Sequence, residues 1–291
     1  MGAATEKDTG KRVRFGDMEL FPLTDGLFRL DGGAMFGVVP KVLWEKSIPP
    51  DERNRIALGL GSLLVMTGDK RILIDTGIGD KGDARFNSIY AVERTTTLLD
   101  SLRSAGVEPE DIDIVINSHL HFDHAGGNTV ITPDGMAPAF PNARYVVQRR
   151  ELEAALYPNE RTRASYRSDD FIPLLDAGAI DIIDGDTEVE DGVRVEVVGG
   201  HTPGYQSILM ESCGKRAVWL GDIIPTAAHL KPAYIPGYDL FPLESLDYKK
   251  ELIGCALEHG WLLVFCHDPA VRMGHLREAA DGLVIEEVRQ S

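Results

Sequence analysis

The stretch Ser118-His119-Leu120-His121-Phe122-Asp123-His124-Ala125-Gly126-Gly127 places three of the eight histidines and one carboxylate within six residues. It directly follows the apolar, β-branched run 112–117, which is typical of a buried strand. Neutral imidazole and carboxylate groups are the ligands that divalent metal ions take from proteins. The stretch therefore predicts a metal site at the end of a buried strand.

The four polar side chains of this stretch divide into two pairs. Alternation along an extended segment directs His119 and His121 to the same side, so that both reach one ion. Asp123 and His124 lie at the turn that follows, displaced by several ångströms at about 3.3 Å per residue. Because one ion does not easily accept all four, two neighbouring ions, roughly 3.5–4 Å apart, fit the spacing better.

Three more candidate ligands stand at the ends of apolar runs later in the chain. They are His201, Asp222 and His267. A rigid sheet fixes the position of a side chain at a strand end, which suits a ligand or a catalytic group. We therefore expect these three residues to supply the further ligands that two ions need.

The composition is that of an ordinary globular protein, and its charge excludes one class of partner. The 291 residues carry a net charge of −16, which disfavours binding to nucleic acid. Three scattered cysteines do not form a disulfide framework. The polar start lacks an apolar leader, and no run approaches the length of a membrane span. We expect a soluble, cytoplasmic protein that binds no membrane.

The pattern along the chain predicts sheets covered by helices in a single domain over 13–291, after a disordered tail at 1–12. Residues 18–31 read as two short strands around Asp25-Gly26. Residues 32–58 read as an irregular segment, and 92–105 as a helix. The charged stretch 158–170 reads as a solvated surface loop.

The ordered motifs resemble those of the metallo-β-lactamase fold superfamily. They are the opening stretch, His201-Thr202-Pro203-Gly204, Gly221-Asp222 and His267-Asp268. Within it, the chain is similar to N-acyl-homoserine lactonases that quench quorum sensing and to the methyl parathion hydrolase branch. The local features are Gly32–Gly37, Trp44, Asp75-Thr76-Gly77 and Gly221–His229. The resemblance covers residues 18 to about 275 and implies an α+β fold, a four-layer αβ/βα sandwich with metals at one edge.

The resemblance also implies a division of the ligands between two metal ions. The first ion takes His119, His121 and His201; the second takes Asp123, His124 and His267; Asp222 bridges them. Two zinc ions are expected, with iron, cobalt and manganese as alternatives. A flavodiiron oxidoreductase has Glu at the position of His121, and a glyoxalase II usually has His at the position of Leu120. This chain has neither feature.

The expected activity is hydrolysis by a hydroxide that bridges the two metals. The substrate expected from the resemblance is a lactone, similar to an N-acyl-homoserine lactone, or a carboxylic ester. Asp123 is a candidate to orient the nucleophile or shuttle its proton. A phosphotriesterase, a β-lactam hydrolase and a non-catalytic metal-binding protein remain as alternatives. A homodimer is a further expectation from the resemblance.

The chain departs from the lactonase pattern three residues after Asp222. Many homoserine lactonases have a tyrosine there that assists the carbonyl oxygen, whereas this chain has Pro225. We take His229 as the first candidate to replace it. The other candidates are Tyr205, Tyr234 and Tyr238, and each of the four is alternatively a structural residue.

Other positions have two interpretations in the sequence. Asp75 either supports a ligand imidazole or closes the turn that follows it. Met35, Phe36 and Trp44 either line a pocket or cover the core.

Alternation turns the side chain of Cys266 away from the neighbouring His267 and into the core.

Overall fold

The computed structural model describes residues 12–280 and 282–288. The predicted tail at 1–12 lies outside these residues except for Arg12. The strands are β1 Val13–Phe15, β2 Met18–Asp31, β3 Arg55–Thr67, β4 Lys70–Ile74, β5 Ile114–Ile116, β6 Thr129–Thr132, β7 Gly135–Pro138, β8 Arg144–Gln148, β9 Ile180–Ile183, β10 Thr187–Glu190, β11 Val193–Val197, β12 Gln206–Ser212, β13 Lys215–Trp219, β14 Leu262–Val264, β15 Met273–Ala279 and β16 Gly282–Glu287.

The helices are short except for the last one. They are α1 Gly32–Phe36, α2 Lys41–Trp44, α3 Ala84–Tyr90, α4 Leu98–Ser104, α5 Phe122–Ala125, α6 Arg149–Leu156, α7 Ile172–Asp176 and α8 Pro242–His259. Single 3₁₀ turns cover Pro109–Asp111, Gly126–Asn128, Ser168–Asp170 and Ala227–Leu230. No helix within the described residues has both the length and the apolar character needed to cross a membrane.

Two seven-stranded sheets account for most of the described strands. The first has the order β1-β2-β3-β4-β5-β8-β9, and the second has the order β10-β11-β12-β13-β14-β15-β16. Their inner faces meet in a core to which alternate residues contribute, such as Ile72 and Ile74 of β4 and Ala217 and Trp219 of β13. This alternation follows from the two-residue period of a strand. The two sheets therefore form a sandwich.

Helices cover the outer faces of both sheets. On the first sheet, Leu98 and Leu102 of α4 pack with Leu73, the outward residue of β4. On the second sheet, Leu252 of α8 packs with Val218, the outward residue of β13. Because both faces of each sheet are covered, the buried parts of the central strands, such as 72–74 of β4 and 217–219 of β13, are apolar. The order helix, sheet, sheet, helix confirms the predicted α+β four-layer sandwich.

The prediction of two strands in 18–31 was wrong. The segment is one strand, β2, and both of its halves pair with β3 on either side of an irregularity between Thr24 and Leu27. Asp25 does not form a hairpin turn, because its buried carboxylate accepts hydrogen bonds from the backbone N–H groups of Ile78, Gly79 and Leu98, at 3.1, 2.9 and 3.0 Å.

Two other predicted elements differ in their extent. The irregular segment 32–58 contains the short helices α1 and α2 and the start of β3. The helix predicted over 92–105 begins only at Leu98, because Thr97 and Asp100 form a reciprocal capping box at its start. Capping by Thr97 leaves 92–96 outside the helix.

Candidate metal centre

The edge of the sandwich brings the seven candidate ligands together. His119 and His121 follow β5, and Asp123 and His124 lie on α5. From the second sheet, His201 lies in the turn after β11, while Asp222 and His267 come shortly after β13 and β14. All seven side chains are buried. The site thus lies where loops from both sheets meet.

The first group of side chains surrounds one oxygen of Asp222. Its ligand atoms, from His119, His121, His201 and Asp222, all lie within 4.8 Å of one another. The Nε2 atom of His201 is 3.0 Å from Asp222 Oδ2 and 3.2 Å from His121 Nδ1. His119 Nε2 lies 3.9 Å from the same carboxylate oxygen. This set matches the one that was predicted for the first ion.

The second group surrounds the other oxygen of Asp222. Asp222 Oδ1 lies 2.9 Å from His267 Nε2 and 3.1 Å from His124 Nε2. Asp123 Oδ2 is 3.5 Å from His267 Nε2 and 3.8 Å from His124 Nε2. Cys266 belongs to the core between the sheets, as its alternation predicts, yet its Sγ lies 3.9 Å from Asp222 Oδ1. The ligand atoms of four residues, His124, His267, Asp222 and Cys266, all lie within 4.8 Å of one another, and Asp123 is not part of this set.

Hydrogen bonds on the outer side of three rings direct the inner nitrogens toward the ion positions. His124 Nδ1 lies 2.9 Å from Asp75 Oδ2, His201 Nδ1 2.8 Å from Asp239 Oδ1, and His267 Nδ1 2.7 Å from the carbonyl oxygen of Gly59. Each partner is an acceptor, so each Nδ1 carries a proton, and with a metal ion bound each Nε2 would present its lone pair inward.

These inward lone pairs fit metal ions. The Nε2 atoms of His124 and His267 face each other at 3.1 Å, a separation at which two neutral rings with lone pairs repel. The Nε2 atom of His119 is buried and has no hydrogen-bond partner within the described part of the chain. A divalent cation in each group would satisfy these nitrogens, which otherwise stay unpaired at a cost.

The charges of the site favour the metal-binding protonation states of Asp222, His119 and His121. At His124 and His201, burial lowers the pKa but the neighbouring carboxylates, Asp222 first, raise it above its usual value. Burial alone would raise the pKa of Asp222, but His124, His267 and His201 hold it well below its usual range. Burial and the neighbouring histidines lower the pKa of His119 and His121. Asp222 is thus a carboxylate and those two rings are neutral, as metal coordination requires.

Buried carboxylates behind the ligands hold the rings in position. Asp75 accepts hydrogen bonds from the backbone and hydroxyl of Ser118 and from Trp219, in addition to His124. The carboxylate thus supports a ligand imidazole, and no hydrogen bond within the described residues joins it to Thr76 or Gly77. Two further carboxylates that hold ligand residues in position, those of Asp239 and Glu151, were not predicted, because no local pattern marks them. Glu151 accepts from the backbone N–H of Leu120, the residue between two ligands.

A narrow cleft of about 150 Å³ opens onto both groups. Its apolar wall includes Leu30, Met35 and Phe122, and its polar wall includes Tyr90, Arg161 and Tyr238. Tyr90 and Arg161 were not predicted as site residues. Arg161 comes from the stretch 158–170, for which the sequence predicts a solvated surface loop. Arg161 is indeed exposed, whereas Thr162, Tyr166 and Asp170 of the same stretch are buried.

The four candidates to assist the carbonyl oxygen in place of the missing tyrosine at Pro225 differ in their positions relative to the cleft. His229 is fully buried, with Nδ1 2.8 Å from Thr226 Oγ1 and Nε2 2.9 Å from the carbonyl oxygen of Met35. Its ring stacks on Phe36, whose other stacking partner is Trp44. Burial lowers the pKa of His229 to about 3. The described cleft lining does not include His229, and these contacts give it a structural position.

Of the three tyrosine candidates, one reaches the cleft. Tyr205 is buried and donates its hydroxyl to the carbonyl oxygen of Leu220. Tyr234 packs edge-on against Phe36 in the core. Tyr238 lines the cleft, and burial together with nearby acidic groups raises its pKa to about 12. Tyr238 therefore keeps its proton at neutral pH and is available as a hydrogen-bond donor.

A comparison with known families agrees with this architecture. The model of the metallo-beta-lactamase superfamily matches residues 60–267. The chain belongs to this superfamily. The match begins in β3 and ends at His267, so it includes all seven candidate ligands.

Two individual proteins show which members of the superfamily this chain is similar to. The N-acyl homoserine lactonase AiiA of Bacillus thuringiensis subsp. kurstaki is 35% identical over 159 residues, 51% of this chain and 57% of that protein. A crystal structure of a probable metal-dependent hydrolase from Staphylococcus aureus is 31% identical, with a TM-score of 0.86, and covers 95% of this chain and 100% of its own. This chain thus matches little more than half the length of the curated lactonase.

A third comparison includes a bound product. It is a structure of N-acyl homoserine lactone hydrolase with N-hexanoyl-L-homoserine at its catalytic metal centre. It is 27% identical with a TM-score of 0.65, covering 89% of this chain and 94% of its own. By their names, these relatives are a lactonase, a probable metal-dependent hydrolase and a lactone hydrolase.

Proposed function

We propose that this protein is a metal-dependent hydrolase with a dinuclear centre, acting on a lactone similar to an N-acyl-homoserine lactone or on a carboxylic ester. The observation that carries the proposal is the position of Asp222, whose Oδ2 faces one group of imidazoles and whose Oδ1 faces another. A carboxylate in that position suits a bridge between two ions. The lactonase relatives support the substrate class.

The ligand atoms suit zinc first, with iron, cobalt and manganese as alternatives. His119, His121 and His201 would hold one ion; Asp123, His124 and His267 would hold the other; Asp222 would contact both. When bound, two such ions supply a water-derived nucleophile at neutral pH and polarise a carbonyl group. The hydrogen bonds to Asp75, Asp239 and Gly59 keep the rings aimed at these positions.

The cleft residues would bind and orient the substrate. Leu30, Met35 and Phe122 form an apolar surface that excludes water from the reacting carbonyl. We propose that Tyr238, which is protonated at neutral pH, donates a hydrogen bond to a substrate oxygen. Tyr238→Phe is then expected to lower kcat/KM about tenfold or more at unchanged metal content.

Asp123 is the remaining candidate for direct participation. Its Oδ2 faces His267 and His124, and the residue also lines the cleft, so it is placed to orient a nucleophile or accept its proton. Asp123→Asn is expected to lower kcat by about 10²–10⁴. Full turnover with both metals retained would exclude a proton-transfer role.

The test of the proposed function combines metal analysis with a substrate panel. The purified protein is expected to contain about two divalent ions per chain and to open acyl-homoserine lactones, with a dependence on acyl length. A paraoxon-type triester and nitrocefin serve as comparison substrates. Activity confined to the triester or to the β-lactam would replace the proposal with one of those hydrolases. Two bound ions without any hydrolysis would favour a non-catalytic metal-binding protein.

A further inference from the structure

The metal-lined cleft continues into a second lobe. A cavity of about 250 Å³ lies beside it, lined by residues of α1, of the loop 157–167 and of the segment 237–240. The two cavities share His121, Arg161, Ser165 and Tyr238. A substrate that reaches from the metals into the second lobe must therefore pass these four side chains.

Arg161 is held at this passage by contacts on both sides. Its Nη2 donates to the carbonyl oxygen of Gly237 at 2.6 Å, and its backbone N–H donates to Asn159 Oδ1 at 2.9 Å. Gly237 is in turn fixed by its N–H, which donates to the carbonyl oxygen of Ala34 at 2.8 Å. The guanidinium is thus positioned by the walls of the cleft, even though it is exposed to solvent.

The charge of Arg161 is unusual for its surroundings. The chain has 46 acidic and 30 basic side chains, yet no carboxylate in the described ranges 12–280 and 282–288 forms an ion pair with this guanidinium. One hydrogen bond to Gly237 leaves other N–H groups of the five available. A guanidinium with unused donors binds carbonyl-type and carboxylate oxygens, often through two parallel bonds.

We propose that Arg161 is a specificity-determining residue that binds an oxygen acceptor on the acyl arm of the substrate. This inference rests on the proposed hydrolysis of a lactone or ester. The acceptor is a keto or carboxylate oxygen located where the arm leaves the metal-lined cleft for the second lobe. The preferred substrates are accordingly acyl compounds with such an oxygen, over purely hydrocarbon arms of equal length.

Matched substrate pairs test this assignment with the zinc-loaded protein. The first pair is N-(3-oxohexanoyl)- and N-hexanoyl-homoserine lactone, which tests a keto oxygen. The second is an aryl hydrogen glutarate and an aryl valerate, which tests a carboxylate. Wild-type protein is expected to prefer the oxygenated member of at least one pair. Arg161→Met should reduce that preference about tenfold, mainly through KM, and Arg161→Lys should restore part of it because Lys keeps the charge without the planar fork.

Arg163→Met is the matched control, because Arg163 is exposed on the same loop and does not line either cavity among the described residues. It should leave the preference unchanged. An unchanged preference in Arg161→Met, or none in the wild type, would overturn the inference. Calorimetric binding of the two ring-opened acyl-homoserines to zinc-loaded wild type and Arg161→Met tests the same discrimination without turnover. Absence of all lactone and ester hydrolysis would instead count against the proposed function.

Discussion

A single buried carboxylate, Asp75, connects the metal site to the core. Its Oδ1 accepts from the backbone N–H of Ser118 at 2.7 Å, and its Oδ2 accepts from His124 and from Trp219 Nε1, both at 2.9 Å. Its backbone has a positive φ of 53°, which an Asp tolerates better than most residues. The charge and the backbone conformation together make this position difficult to replace.

The first prediction concerns Asp75→Asn. An amide at this position presents N–H groups to donors and removes the negative charge that fixes the His124 tautomer, so zinc affinity should fall about 10–100-fold. The loss of these buried bonds should also lower the free energy of unfolding by about 1–3 kcal/mol. Competition with a chelator and urea denaturation measure the two effects. Asp134→Asn, at an exposed turn, is the control, and equal zinc affinity in both variants would contradict the assignment.

Some residues of the site are marked by a local pattern in the sequence, whereas others come to the site only through folding. His119 and His124 were predicted because local spacing after a strand marks them. Asp239 supports His201 from 38 positions away, and only the folding of 225–243 over the cleft brings it there. Arg161 was missed because its loop is charged throughout and its single tether, Gly237, is distant in the chain. Whether the predicted ligands bind metal stays a prediction.

At the scale of elements, a buried ion pair fixes the turn that follows the ligand helix α5. Lys81 Nζ donates to the carbonyl oxygens of Gly126 and Thr129 and lies 3.1 Å from Asp170 Oδ1. Both side chains of the pair are almost fully buried. Burial raises the pKa of Asp170, although Lys81 lowers it in part. The pair therefore connects the turn after α5 to the 3₁₀ turn Ser168–Asp170, which follows the loop that carries Arg161.

Removing one member of this pair should cost more than removing both. Lys81→Met leaves the Asp170 carboxylate buried without its partner, and we expect a loss of about 3–5 kcal/mol in the free energy of unfolding. Lys81→Met combined with Asp170→Leu removes the uncompensated charge, so the double variant should be more stable than the single one. Urea unfolding of the wild type, Lys81→Met, Asp170→Leu and the double variant measures this double-mutant cycle. Additive losses would show that the two side chains are not coupled.

Lys249 of α8 fixes the segment that covers the cleft. Its Nζ donates to the carbonyl oxygens of Tyr234, at 2.6 Å, and Lys231, at 3.2 Å. Burial lowers the pKa of Lys249 to about 8 from a usual value of 10.5. Between these values the unfolded chain binds more protons than the folded one, so this residue makes the protein more stable as pH rises.

The corresponding prediction compares Lys249→Met with the wild type at several pH values. The stability of the wild type relative to the variant should rise by about 2 kcal/mol between pH 7 and pH 10, since each pKa unit corresponds to about 1.4 kcal/mol. Urea unfolding at pH 7, 8, 9 and 10 measures it. Lys250→Met, at the exposed neighbouring position, should show no such trend. A flat difference for Lys249→Met would mean that the amine is not desolvated in the folded protein.

The elements themselves were predicted well where both sheet faces are covered, as in β5 and the buried end of β13, because 114–116 and 217–219 are continuous apolar runs. Prediction was wrong where a tertiary contact overrides a local signal. Asp25-Gly26 is a strong hairpin signal, but the carboxylate of Asp25 caps α4 at Leu98 and the chain continues as a single strand. No local window contains Leu98, so this outcome was not accessible from the pattern around Asp25.

At the scale of the whole molecule, the metal centre joins the two halves of the sandwich. The segment 119–124 follows β5 of the first sheet. His201, Asp222 and His267 follow strands of the second sheet. Across this boundary the ring nitrogens of His124 and His267 are 3.1 Å apart, and those of His121 and His201 are 3.2 Å apart. These close contacts between ring nitrogens are favourable only when a cation or a proton lies between the rings. The stability of this edge of the sandwich therefore depends on what is bound there.

Removal of the metals should therefore destabilise the protein as a whole. Zinc that binds only the folded state adds about 4 kcal/mol at a concentration 1,000 times its Kd, so the melting temperature should fall on chelation and recover when zinc is added back. His267→Asn should lose part of this zinc-dependent rise, because it removes a ligand from the second group and leaves the first group intact. His259→Asn should keep it, since His259 is exposed at the end of α8. A melting temperature independent of zinc in the wild type would mean that the seven side chains do not hold the sheets together through a metal.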